Sequence, residues 1–230
     1  MADITSTSLR IALDSGDSVS ALLTTPAQPH AGYVFAHGAG AGMNHRFMED
    51  VAQGLAERGI ATLRYQFSYM EKGSKRPDVP RVAHAVVRAA VDEAVRRWPG
   101  LPLFAGGKSF GGRMTSQAQA AAPLPGVRGL VFFGFPLHPA GKPAAERGEH
   151  LLQLDGPMLF LQGTRDELAE TSLLQTLIER LGARATLELV DGADHSFHVL
   201  ARSGRTDAQV RDALLDTFQR WAANLATIPG

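Results

Sequence analysis

Two hydrophobic patterns alternate along the chain. Short apolar runs occur at Tyr33–Ala36, Ile60–Phe67, Leu101–Ala105, Val127–Phe135, Gly156–Gln162 and Ala185–Val190. Runs of this length, bounded by glycine, proline or polar residues, predict largely buried strands. Between them lie longer segments with apolar residues at helical spacing. In Arg46–Arg58 the stripe is Phe47, Val51 and Leu55, with Met48 and Ala52 beside it and Gly59 closing the segment. A second helix is predicted from Asp78 and Pro80 to Trp98, with Val82, Val86, Ala90, Ala94 and Trp98 inward and Pro99-Gly100 as its stop. Thr171–Leu181 and Asp207–Leu225 repeat the pattern, and Arg113–Ala122 has helical composition. Leu9–Leu13 and Val19–Thr24 instead alternate across Asp14-Ser15-Gly16-Asp17, which predicts an antiparallel hairpin at a sheet edge.

Strands that alternate with helices imply an α/β protein with a mainly parallel sheet covered on both faces. The length suits a single domain over residues 1–230. In such a sheet, ligands gather beyond the carboxyl ends of the strands. The polar residues that follow each strand are therefore where chemistry is to be sought.

The most informative of these places is Leu101–Met114, LPLFAGGKSFGGRM. An apolar run, a glycine-dense turn and a helical segment follow one another. In that context Gly107-Lys108-Ser109-Phe110-Gly111 reads as G-x-S-x-G, a turn that projects a serine hydroxyl from the sheet edge. Gly-Lys-Ser also resembles the end of a phosphate-binding loop, but that motif needs a glycine at position 102, which is Pro102. The loop after Tyr33–Ala36, His37-Gly38-Ala39-Gly40-Ala41-Gly42, is rich in small residues whose amides can approach a substrate oxygen. The amides of Ala39 and Phe110 are the expected oxyanion donors, with Gly40 as the alternate to Ala39. His37 reads as a packed scaffold residue.

Two further strand ends supply the partners a serine needs. Asp166 follows Gly156–Gln162, and His195 follows Ala185–Val190. Serine, acid and histidine occur in that order, the order of the α/β-hydrolase triad. A serine hydroxyl becomes nucleophilic when a base takes its proton, and a carboxylate orients the imidazole that does so. Glu167, Asp191 and Asp194 are rival acids and His198 a rival base. Asp191 and Asp194 lie too near His195 in sequence for a strand-to-strand approach.

Composition narrows the function classes. Formal net charge is zero and charged residues make up 20%, so nothing suggests bulk attraction to nucleic acid or an anionic membrane. There is no cysteine, which excludes disulfides, thiolate metal sites and a cysteine nucleophile. No signal-peptide pattern opens the chain, and a cytoplasmic location is expected. The triad chemistry calls for no metal and no organic cofactor.

The stretches His37–Met48, Arg64–Gly73, Gly106–Met114, Gly134–Pro143, Leu159–Leu168 and Asp191–Phe197 together resemble the α/β-hydrolase superfamily. The nearest likeness is to the testis-expressed protein 30 and dienelactone-hydrolase-like family. The resemblance implies an α/β-hydrolase fold without a large lid domain, with Ser109, Asp166 and His195 at the triad positions. It implies no particular substrate. Dienelactone hydrolases proper use cysteine where this chain has Ser109.

The expected activity is hydrolysis of a small ester-type acyl substrate. A thioester, an amide or a short peptide would suit the same machinery, and a non-catalytic interaction module on a hydrolase scaffold is the alternative of another class. Ser68–Pro77 and Pro136–His150 are the long polar excursions at the strand ends. Tyr69, His138, Lys142 and Arg147 are expected at the substrate rim; neither excursion is long or apolar enough to form a lid, which suggests short acyl groups, and cations that face the site would favour a substrate carrying an anionic group away from the scissile bond.

Overall fold

Successive side chains of the buried strands serve two different layers. The computed structural model describes residues 3–226. Its strands are β1 (Ile4–Ala12), β2 (Ser18–Pro26), β3 (Ala31–Ala36), β4 (Ile60–Tyr65), β5 (Leu103–Lys108), β6 (Val127–Phe133), β7 (Met158–Gly163) and β8 (Ala185–Val190). They form one sheet in the order β1-β2-β4-β3-β5-β6-β7-β8. From β4 to β8 all neighbours are parallel. The hairpin β1–β2 joins this block antiparallel through β4.

The helices are α1 (Arg46–Glu57), α2 (Ser68–Glu71), α3 (Pro80–Arg97), α4 (Phe110–Ala121), α5 (Thr171–Leu181) and α6 (Asp207–Ala226). On one face Tyr33, Phe35, Phe104, Val131, Phe133, Leu159 and Leu161 pack against Val51 and Leu55 of α1 and Leu214 and Phe218 of α6. The residues between them, Val34, Ala105, Leu130, Phe132 and Phe160, point to the other face. There they meet Val86 and Ala90 of α3, Met114 of α4 and Leu174 and Leu177 of α5. Each large apolar side chain buried in this way contributes about 1.5–3 kcal/mol.

Several boundaries differ from the sequence reading. β5 continues through Gly106 and Gly107 to Lys108, and α4 starts at Phe110 rather than Arg113. Ser68–Glu71, expected as loop, forms a helical turn, and the end of the Pro136–His150 excursion runs into 3-10 turns over Glu146–Gln153. Among the described residues, no helix is long and apolar enough to cross a membrane.

Candidate active site

Ser109 occupies the turn between β5 and α4 with φ 51° and ψ −116°, a backbone conformation a residue with a Cβ seldom adopts. The turn is held by close backbone crossings. A Cβ on Gly107 would lie 2.4 Å from the Ala36 carbonyl oxygen, and one on Gly111 would lie 2.6 Å from the carbonyl oxygens of Ala36 and His37. Only glycine lets β5 and α4 come this near to the end of β3. Ser109 itself is tied to the next strand, its amide donating to the Phe133 carbonyl over 3.1 Å.

Asp166 lies just past β7 with its side chain fully buried. Its Oδ2 accepts from Gln162 Nε2 and pairs at 2.7 Å with His195 Nδ1, while its Oδ1 accepts from the Leu168 amide at 2.8 Å. The rival residues are engaged elsewhere. Asp194 Oδ1 accepts the amides of Ser196 (2.8 Å) and His198 (3.0 Å), which winds the loop around His195. Asp191 accepts from Thr164 at 3.3 Å, Glu167 is exposed, and His198 pairs with Asp207 at 2.9 Å.

The loop after β3 separates the two expected amides. Ala39 is exposed and lines the cleft at Ser109. The Gly40 amide instead donates to the Tyr69 hydroxyl at 3.0 Å. His37 is buried beneath this loop. Its Nδ1 bonds the Gly38 carbonyl at 2.8 Å, and its Nε2 accepts the Phe67 amide at 3.1 Å. Burial pushes its pKa down to about 4.

The cleft at Ser109 has a volume of about 620 Å³. Gly38, Ala39 and Ala41 form one wall, Phe47 and Met48 of α1 another, and Leu168, His195 and Ser196 the side beyond β7 and β8. His45, Arg46, Asp50 and Asp207 give it a rim of mixed charge.

This rim is not the expected one. His138 is only 3% exposed. Its Nδ1 bonds the Pro139 carbonyl at 2.9 Å, and its Nε2 accepts the Glu170 amide at 2.9 Å. Tyr69 is buried under the β3 loop, Lys142 is exposed away from the cleft lining, and Arg147 lies near Arg113. The polar excursion that carries three of these residues folds onto α4 and α5 because Leu151 and Leu154 are core residues. Its cations therefore do not form a wall of the cleft.

Three residues of the site were not singled out for it by the sequence reading. In the sequence Lys108 fills a variable position of G-x-S-x-G and otherwise belongs to the rejected phosphate-loop reading, yet its ammonium donates to the His195 carbonyl and lies 5.2 Å from the Phe197 ring centre and 5.8 Å from that of Phe47. Burial lowers its pKa to about 8, opposed by the charges of Asp166 and Asp194. Gln162 steadies Asp166, and its own carbonyl oxygen accepts the Phe135 amide at 2.8 Å. Gly134 passes so close that a Cβ there would lie 2.8 Å from the Lys108 ammonium and 3.4 Å from the His195 ring. Among the described residues, no group of three or more histidine, aspartate or glutamate side chains gathers as a metal site.

Strand order, the turn at Ser109 and the succession of serine, aspartate and histidine after β5, β7 and β8 are those of the α/β hydrolases. The family model described as an alpha/beta hydrolase domain matches residues 29–223, and the chain belongs to that family. Solved structures give the same fold. An alpha-beta serine hydrolase homologue from Coxiella burnetii superposes with a TM-score of 0.75 at 20% identity, over 92% of this chain and 96% of that one. A serine hydrolase without a lid from Xanthomonas campestris gives 0.74 at 22% identity, over 94% of each chain. A dienelactone hydrolase from Anabaena variabilis gives 0.75 at 19% identity, over 96% of this chain and 98% of that one.

Proposed function

We propose that the chain is a serine hydrolase that cleaves a small carboxylic ester through an acyl-enzyme intermediate. The observation that carries this reading is the 2.7 Å contact of His195 Nδ1 with the buried Asp166, beside a cleft that Ser109 also lines. With Nδ1 committed to Asp166, Nε2 is the nitrogen that can accept a proton.

Ser109 Oγ attacks the ester carbonyl as His195 takes its proton. Asp166 keeps the imidazole in the right tautomer and stabilises the imidazolium. The oxyanion that forms accepts from the Ala39 and Phe110 amides, the latter at the positive end of α4. Collapse returns the electron pair to the carbonyl and expels the alcohol, which carries away the proton from His195. Water then repeats the sequence on the acyl-serine, with His195 again taking and returning a proton, and releases the acid. Gly40 is not needed as a donor, since its amide serves Tyr69.

The lining favours a short apolar acyl group. Ala39, Ala41, Phe47, Met48 and Leu168 offer limited apolar surface, and each methylene held there would contribute only about 0.8 kcal/mol. An anionic preference has no support from the excursion cations, because they lie outside the lining. The test is labelling with a fluorophosphonate. The wild-type chain is expected to label and Ser109→Ala to stay unlabelled while folded; a label that survives Ser109→Ala would place the nucleophile elsewhere.

A further inference from the structure

We propose that Lys108 is a positioning residue for His195: its ammonium, bonded to the His195 carbonyl and set against the rings of Phe47 and Phe197, holds the loop that presents the imidazole to Ser109. The proposal rests on the reading of Ser109 and His195 given above.

The His195 loop needs such a hold. It is wound into a tight turn, with the Phe197 amide donating to the Asp194 carbonyl at 2.9 Å and the Asp194 amide to the His198 carbonyl at 3.0 Å. The turn places Phe197 at φ 64°, a region that a large side chain occupies only when its surroundings enforce it. Those surroundings are specific. The Phe197 ring is buried, stacks on Phe47 with centres 6.0 Å apart, and meets Phe133 edge-on at 6.4 Å. The Lys108 ammonium completes the enclosure.

Lys108 is also the residue directly before Ser109. The end of β5 thereby sets the serine through the backbone and the histidine through the ammonium, across 87 positions of sequence. Gly134 leaves room for the ammonium, since a Cβ there would lie 2.8 Å from it and in van der Waals contact with the imidazole at 3.4 Å. An apolar side chain of similar reach would fill this space without the desolvation penalty of a partly buried charge. What the ammonium adds is a charge-assisted bond to one carbonyl.

The charged and titratable groups around it are Asp166 after β7 and Asp194 and His195 after β8. His45, Arg46 and Asp50 of the α1 side and Asp207 of α6 line the same cleft. Burial lowers the Lys108 pKa to about 8. The group is therefore charged at neutral pH and becomes a neutral amine, a weaker donor, as the pH rises through that value.

The experiment compares wild type with Lys108→Met by four readouts: the downfield proton resonance of His195 Nδ1, steady-state kinetics on a short neutral p-nitrophenyl ester, the pH profile and the Tm. The variant is expected to lose or broaden the resonance. Its kcat should fall about ten- to a hundred-fold, the scale of a small misplacement of a catalytic group, with KM within about twofold. Wild-type kcat should decline above pH 8 toward the variant's level, and the variant should lack that limb. The Tm should stay the same or rise, because a partly buried charge has been removed. An unchanged resonance would overturn the proposal. So would a fall in Tm with kcat intact, which would make Lys108 mere packing. A KM that rises only for an anionic ester would overturn it too, by making the ammonium a substrate-binding group. Wild-type protein that resists fluorophosphonate would refute the hydrolase reading instead, and the resonance comparison would still decide the role of Lys108.

Discussion

Replacing Asp166 by asparagine sets three fixed hydrogen-bond donors against an amide that has one oxygen. Oδ2 of Asp166 now receives Gln162 Nε2 and His195 Nδ1, and Oδ1 receives the Leu168 amide. Gln162 cannot turn over freely, because its own oxygen holds the Phe135 amide at 2.8 Å. If the new NH2 group takes the place of Oδ1, it faces the Leu168 N–H and that bond is lost. If it takes the place of Oδ2, it faces Gln162 and forces the imidazole into the other tautomer. Either orientation leaves a buried donor unmet, which costs about 1–3 kcal/mol. At this chain length that lowers Tm by roughly 2–4 °C per kcal/mol. The catalytic effect is expected to be larger: the same change in a related triad lowers kcat by about ten thousand-fold. The assay is turnover of p-nitrophenyl acetate beside thermal melts, with Asp194→Asn as the control, since asparagine keeps the oxygen that accepts the Ser196 and His198 amides. Asp166→Asn activity within tenfold of wild type, or a more severe loss in Asp194→Asn, would refute the assignment of the acid. A raised Tm would refute the hydrogen-bond account.

Two other outcomes follow from packing and titration. Gly111→Ala should lower the urea midpoint by an amount worth about 1–3 kcal/mol despite alanine's better helix propensity, because its Cβ would press on two backbone oxygens that cannot move aside; an unchanged midpoint would refute this. His37 is held neutral to about pH 4 when folded, against about 6.5 when unfolded, so the unfolded chain binds more protons between these values and stability falls as the pH drops through them. His37 alone should contribute about 2 kcal/mol to that fall, read as urea midpoints at pH 7 and 4.5, and an equal slope in His37→Asn would refute the assignment.

The sheet could be read in the sequence because its strands are buried on both sides and so leave unbroken apolar runs. The succession of Ser109, Asp166 and His195 was equally readable, since topology alone puts the ends of β5, β7 and β8 at one edge. The errors have physical causes. Gly106, Gly107, Gly111 and Gly112 all read as turn, yet the first two lie in β5 and the last two in α4, where tertiary crossings override propensity. The rim was misjudged because polar, proline-rich chain gives no sign of where it folds. Leu151 and Leu154 draw that excursion onto the core, and His138 is consumed by two backbone bonds. Phe47 and Met48 had a sound reading as part of a helix's apolar side, and nothing in such a pattern marks the residues that also border a cleft. Lys108 was hidden for a simpler reason: a motif position that tolerates any residue carries no signal until its neighbours in space are known.

The parts of the site come from the ends of β3, β5, β7 and β8, and no two of those ends are joined by a local hairpin. Parallel strands pair only after long loops have closed, as where Gly32 of β3 meets Leu103 of β5. A refolding chain can recover its helices while Ser109, Asp166 and His195 are still far apart. On the proposed mechanism, hydrolysis is therefore a late signal of folding: it should return with the slowest step that docks β7 and β8, after most of the far-UV signal has already come back. A half-folded chain would be chemically silent, so activity counts fully assembled molecules rather than the average degree of order.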